Sequence, residues 1–556
     1  MSDINGAIVD GSKQNFQLGG DADWWKSAVI YQIYPRSYLD SNQDGIGDLP
    51  GIIQKLDYLE WLGVDALWIS PFFTSPMKDF GYDVSDYRDV DPMFGSLADF
   101  DELLAKAHER GIRILIDLVL SHTSDQHVWY QESRQSRDNP KADWYVWEEP
   151  KPDGSPPTNW MSIFGGSAWE WDAMRRQYFL HNFLTSQPDL NFHNPEVRAA
   201  LIDVARFWLD RGVDGFRLDT ANMYFHDDQL RDNPPLAEGM RVNGIDETNP
   251  YSMQEPKYNI SRPENLAFLE DFRGLLDEYP AVTTVGELGA VTDMYEIIAD
   301  YTESGKRLHM AYSFDFMTKE YSASHIRSVV EKMSQRGGTG WPCWAFSNHD
   351  VVRSASRWGT GTNTAPLISA LLMSLGGTAC LYQGEELGLL EADVPFEALQ
   401  DPFGIRFWPG YKGRDGCRTP MLWVANAEHG GFTKGKPWLP VATEQLSIAV
   451  DQQIASNDSV LGKTRQFIQW RKGQSALLNG SIRFLDAGEA VVTFIRELDG
   501  VSVLCVFNLG KETANYAYDQ GKLSALEGHG FESVYESNMI QLPVNGAFFG
   551  AIEQQS

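Results

Sequence analysis

The chain has 556 residues, 42% hydrophobic and 12% aromatic with 18 Trp, and a net charge of −31. That length exceeds one ordinary domain and allows roughly two to four, although α/β barrels run large as single units. So acidic a surface repels phosphate backbones and anionic lipid, which argues against nucleic-acid and membrane partners, and no run of about 18 apolar residues offers a membrane span.

Residues 1–22 are largely polar and Gly-rich and read as a loose extension, without the basic and apolar regions of a secretion signal. Cys343, Cys380, Cys417 and Cys505 are scattered with no CxxC pair, which suits neither a zinc site nor a disulfide framework. A cytoplasmic protein is the expectation.

From Trp24 a regular alternation begins. Short apolar, β-branched runs recur at Ala28–Tyr34, Ala66–Ile69, Ile112–Leu120, Gly215–Asp219, Thr283–Glu287, His309–Phe314, Cys343–Phe346 and Thr378–Tyr382. Near-continuous apolar runs suit strands buried on both faces. Between them, Leu97–Arg110 and Pro195–Leu209 have helical spacing and end near Gly. Such strands with intervening helices predict a closed (β/α)8 barrel of the TIM type over residues 23–122 and 193–473. An open doubly wound sheet is the alternative, but no GxGxxG follows the first strand.

The long Trp-, Pro- and Gly-rich stretch 123–192 reads as a lid or inserted domain after strand three. After a helix around Leu461–Arg471, the tail 474–556 turns to short strands at Ile482–Leu485, Ala490–Arg496, Ser502–Asn508 and Phe548–Ile552. It predicts a C-terminal antiparallel β-sandwich.

In such barrels, chemistry sits at the C-terminal strand ends. Here those ends are Asp117–His122, Gly215–Asp219, Val285–Glu287 and Ser347–Asp350, which gather Arg217, Asp219, Glu287 and Asp350 with His122 and His349 around one mouth. Glycosidic cleavage needs an acid to protonate the leaving oxygen and a carboxylate beside the anomeric carbon. Arg217, two residues from Asp219 on the same strand face, is expected to keep it ionised, while Glu287 among acids keeps its proton. Asp350 is placed to hold sugar hydroxyls.

DxxxxH at Asp117–His122, GFRLD at Gly215–Asp219, VGE ending at Glu287 and SNHD at Ser347–Asp350 resemble, in order, the four principal motifs of the α-amylase superfamily of glycoside hydrolases. Gln187–Asn191 (QPDLN) is similar to the short motif marking its oligo-1,6-glucosidase and α-glucosidase branch. The resemblance implies a retaining enzyme with Asp219 as nucleophile, Glu287 as acid/base and Asp350 as transition-state stabiliser, the first two about 5 Å apart. It also implies that Asp79, Tyr82 and Arg414 close a glucose pocket against Phe164 of the insert, with Arg418 given a structural role. Thr220 stands where relatives preferring α-1,6 links carry Val, so an exo-acting α-glucosidase cutting α-1,4 links in short oligosaccharides is expected, with some glucosyl transfer.

Asp40-Ser-Asn42-Gln-Asp44-Gly-Ile46-Gly-Asp48 alternates oxygens around a Gly bend, as a hard cation requires. An EF-hand is excluded because position twelve is Gly51. The resemblance implies a structural Ca2+ or Mg2+ held by Asp40, Asn42, Asp44, the Ile46 carbonyl and Asp48. No organic cofactor is expected, and oligomeric state is not legible. An oligo-1,6-glucosidase, a sucrose isomerase or a trehalose-type hydrolase would share the catalytic residues. A non-catalytic barrel relative would lack these acids and carry a membrane segment.

Overall fold

The computed structural model describes residues 20–303, 305–336 and 340–553; the expected extension 1–22 falls almost wholly outside them. Eight parallel strands close a barrel in sequence order: β1 Val29–Ile33, β2 Ala66–Ile69, β3 Arg113–Leu118, β4 Gly215–Leu218, β5 Thr283–Glu287, β6 Met310–Tyr312, β7 Trp341–Ala345 and β8 Thr378–Tyr382. All eight fall within or beside the runs singled out in the sequence. β1, β2, β3, β4, β5, β6 and β8 are buried at every residue, as continuous apolar runs require.

Local signals set the connecting helices. Ser96 and Asp99 form a capping box at the start of helix Leu97–Glu109, satisfying N–H groups the first turn leaves open. Helix Pro195–Arg211 starts on an Asn194 cap with Pro at its first position and stops at Gly212, which takes φ 105°. Gly215 decides the register of the active strands. It pairs with Thr283, and a Cβ there would stand 2.0 Å from the Thr283 carbonyl oxygen. With Leu218 beside Gly286, Asp219 emerges level with Glu287.

The stretch after β3 carries a three-stranded antiparallel sheet, Trp147–Glu148, Gln177–Leu180 and Trp169–Asp172. A bridge between His122 and Asp189 returns it to the barrel mouth.

The C-terminal part is two antiparallel sheets, of five and three strands, facing across a core of Val491, Ile495, Leu504, Val506, Ile540, Leu542 and Phe548. It opens with a short helix, Ser475–Asn479, ahead of the first expected strand. Four strands were not expected at all: Ala514–Ala517, Leu523–Ala525, Val534–Glu536 and Met539–Leu542. Each is four residues or fewer; the first three are mostly exposed or half-buried and Met539–Leu542 buries only alternate residues, so none carries the apolar run that marks a core strand. No helix among the described residues is long and apolar enough to cross a membrane.

Candidate active site

Arg217 stands fully buried at the end of β4. Its Nη1 donates to Asp117 at 2.9 Å and to Asp219 at 2.6 Å, and its Nη2 lies 2.7 Å from Glu287 Oε2. One guanidinium therefore gathers acids from β3, β4 and β5, in the planar fork geometry arginine favours. Glu287 also accepts from the Tyr312 hydroxyl at 2.9 Å and the Thr220 N–H at 3.2 Å.

Three acids around one fixed cation cannot all ionise cheaply. Burial pushes Asp219 up to about 7 against the pull of Arg217. It pushes Glu287 to about 7 as well, with Asp219 and Asp350 adding to the rise and Arg217 opposing it. Burial thus opposes the guanidinium at Asp219, and Asp219 and Glu287 titrate as one pair. Asp117 is raised to about 6 by the same burial.

Asp350 is the opposite case. Arg418 Nη2 reaches its Oδ1 at 2.8 Å, Arg414 Nη1 the same atom at 3.1 Å, and His349 Nε2 lies 3.3 Å from Oδ2. Burial would raise it, but the Arg414 and Arg418 guanidinium groups together hold it well below the usual carboxylate range. Its side chain keeps 24% exposure, so a charged carboxylate faces the mouth. Burial holds the fully enclosed His349 neutral, far below its ordinary value.

Arg414 closes one side. Its Nη2 reaches Asp79 at 2.9 Å and Asp401 at 2.8 Å, and Phe164 from the insert lies 5.2 Å from its guanidinium. Gln187 donates to Asp79 at 3.1 Å and approaches His122 at 3.2 Å. Tyr82 stacks on His349 at 5.3 Å with planes 4° apart, and its hydroxyl donates to Asp117 at 3.0 Å. The His122 ring contacts Ser121 Oγ at 2.8 Å and the Tyr82 carbonyl at 3.0 Å, and burial lowers it to about 4. Thr220 follows Asp219 with φ 39°, unusual for a β-branched residue, and its Oγ1 touches Ser121 at 3.2 Å.

All eleven residues singled out for catalysis and sugar contact thus meet in one connected cluster. Sequence reasoning missed Asp401 and Tyr312, and gave Arg418 a merely structural role although it bonds Asp350 directly.

The loop Asp40–Asp48 stands apart. Asp40 accepts from the N–H groups of Asn42, Gln43 and Gly45, Asn42 accepts from Asp44, and Asp44 accepts from Ile46. Asp48 accepts from Ser41 and Gly51. These donors suit a hard cation chemically, being oxygens alone. Among the described residues, however, no three His, Cys, Asp or Glu side chains are gathered as a ready metal cage. The loop acids are turned onto the loop's own backbone.

A barrel mouth with an Arg-clamped carboxyl pair and a third, fully ionised carboxylate defines a carbohydrate-cleaving enzyme of the retaining or inverting kind. Residues 32–480 match the model of the alpha-amylase catalytic domain. A probable alpha-glucosidase of Rhizobium meliloti is 54% identical over 541 residues, covering 96% of this chain and 98% of its own. An oligo-1,6-glucosidase of Heyndrickxia coagulans is 38% identical over 539 residues, covering 89% and 93%. The crystal structure of the alpha-glucosyl transfer enzyme XgtA superposes with a TM-score of 0.93 at 55% identity, covering 95% of this chain and 99% of that one. The chain belongs to the alpha-amylase family of glycoside hydrolases, in the branch of alpha-glucosidase and oligo-1,6-glucosidase relatives.

Proposed function

We propose that the protein is a retaining, exo-acting α-glucosidase that removes terminal glucose from short α-glucosides, with maltose-type α-1,4 links preferred. The observation that carries this is Arg217, whose two terminal nitrogens hold Asp219 and Glu287 at 2.6 and 2.7 Å. One carboxylate and one protonated acid then face each other near pH 7. Asp219 attacks the anomeric carbon while the Glu287 proton passes to the leaving oxygen, giving a glucosyl ester and a free aglycone. Glu287, now a base, takes a proton from water, whose oxygen displaces Asp219 and restores both groups. Asp350, held ionised, accepts from sugar hydroxyls and favours the positive charge that develops on the ring. Asp79 with Arg414 blocks one end, so the terminal glucose enters and the chain behind it stays outside.

Thr220 supports the α-1,4 preference, and the four buried free thiols support a reducing, cytoplasmic setting. The 55% identity with an alpha-glucosyl transfer enzyme favours a second outcome, in which a sugar hydroxyl replaces water and a longer α-glucoside forms. Maltose and isomaltose, each at low and high concentration, separate these readings by chromatography of all products. Release of glucose from maltose alone supports the α-1,4 reading. Faster cleavage of isomaltose overturns that preference, longer sugars reveal transfer, and no change in either sugar overturns the glucosidase reading. We further propose that Asp40, Asn42, Asp44, the Ile46 carbonyl and Asp48 take up Ca2+ or Mg2+ as a stabilising ion away from the chemistry.

A further inference from the structure

Asp350 has three supports, Arg414, His349 and Arg418, and one short turn reaches all three. Asp79 pairs with Arg414 at 2.9 Å. Tyr82 stacks on His349 and reaches its Nε2 at 2.6 Å through its hydroxyl. Phe80, between them, lies 5.6 Å from the Arg418 guanidinium. Phe80 takes φ 53°, a strained conformation for a bulky side chain.

What the ring lies among is unusual. On one side Arg418 packs against Phe80 and, at 5.3 Å, against Tyr34, which itself stacks on His349 at 5.6 Å. On the other, Arg36 lies 5.1 Å from Phe80 and 4.8 Å from Trp438, whose rings are 5.4 Å apart. Arg36 is 5% exposed. Its Nη2 donates to Met93 Sδ at 3.3 Å, and Nε and Nη1 have no partner among the described residues. No carboxylate among those residues forms an ion pair with it, so the ring faces hold the cation. A buried charge held chiefly by ring faces is costly to keep unless its flat, positive plate does something there.

We propose that Phe80 is a positioning residue for Asp350, acting through Arg418, and that Arg36 and Trp438 fix the Phe80 ring. The Phe80 face sets the plane of Arg418, which aims Nη2 at Asp350 and Nε at the His349 carbonyl, 2.8 and 2.6 Å away. Leucine at position 80 would fill the volume without offering a plane. This reading rests on the glucosidase function. Turnover of a nitrophenyl α-glucoside by the wild-type enzyme tests that function, whereas ratios between variants test the positioning role.

The experiment compares Phe80→Leu, Trp438→Leu and Trp438→Phe, with melting temperature as a check on folding. Phe80→Leu is expected to lower kcat about tenfold or more while KM stays within about twofold. Trp438→Leu, at the half-buried far end, lowers kcat in the same sense, and Trp438→Phe restores most of it. In an Asp350→Asn background, Phe80→Leu costs less than about twofold, because the group it positions is already disabled. An equal loss in both backgrounds shows a general structural effect and overturns the proposal. So does wild-type kcat in Phe80→Leu or, should that variant not fold, in Trp438→Leu.

Discussion

The Tyr312 hydroxyl donates to Glu287 Oε1 at 2.9 Å and receives an N–H from Arg217 at 2.8 Å. It therefore favours the ionised form of Glu287 and opposes the burial that raises that acid to about 7. With Asp219 also at about 7, kcat/KM is expected to follow a bell near neutrality. It rises as the pair loses its first proton and falls as it loses the second. Tyr312→Phe removes one donor to the carboxylate, so Glu287 keeps its proton to higher pH and the alkaline limb moves upward. A limb that stays in place or moves down in the pH–rate profile contradicts this assignment.

Asp219→Asn is expected to abolish turnover, by a factor on the order of 10⁴ or more for a covalent nucleophile, and yet to raise thermal stability. Burial lifts Asp219 to about 7 in the folded state, above the ordinary value near 4 that it has when unfolded. The folded state then binds the proton more tightly. Its stability from this group is full below about pH 4 and is lost as pH rises through about 7. Asparagine escapes that loss. Melting curves should show the variant ahead by about a few degrees at pH 8 and level with wild type near pH 4; a deficit at pH 8 would contradict the sign.

Which of these groups could be read from the chain depends on how they announce themselves. The barrel strands were legible because they are apolar, largely buried runs, and Asp219, Glu287 and Asp350 stand at or just beyond the ends of three of them. Tyr312 was not, because an aromatic inside an apolar strand reads as core until its hydroxyl is seen between Arg217 and Glu287. Asp401 caps the short helix Pro402–Phe407, and its sequence context announces nothing more. Its second role appears only when the chain folds back and Arg414 lands on it. Phe80 lay inside a motif already singled out for Asp79 and Tyr82, but period and chemistry give no sign that its ring lies between Arg36 and Arg418.

Arg414 tests the closed end of the site. Its guanidinium reaches Asp79, Asp350 and Asp401 at once, which a lysine ammonium on a flexible stem cannot reproduce. Arg414→Lys leaves the buried Asp401 and Asp79 short of donors, and burial already holds Asp79 near 6. We expect kcat/KM for maltose to fall about a hundredfold or more, with a raised KM carrying much of the loss, since the grip on the terminal glucose goes first. Steady-state kinetics of the folded variant decide. A loss of kcat alone would place Arg414 on the transition state and leave the grip to other residues.

The acidic loop offers the last test. Thr433 donates to Asp40, Asp40 N–H bonds the Phe432 carbonyl, and Trp438 N–H bonds Gly45, so the loop pins residues 432–438 against the barrel. A divalent cation bound there would stabilise the folded state by mass action, and the unfolded loop would offer it no comparable set of oxygens. The melting temperature is expected to drop by about a few degrees in excess EDTA and to recover with Ca2+ or Mg2+. Asp44→Asn, which removes an exposed carboxylate without disturbing the acids at the mouth, should melt at the EDTA temperature with or without added cation. If wild type melts identically in EDTA and in Ca2+, the loop's own hydrogen bonds and those to residues 432–438 hold it without an ion.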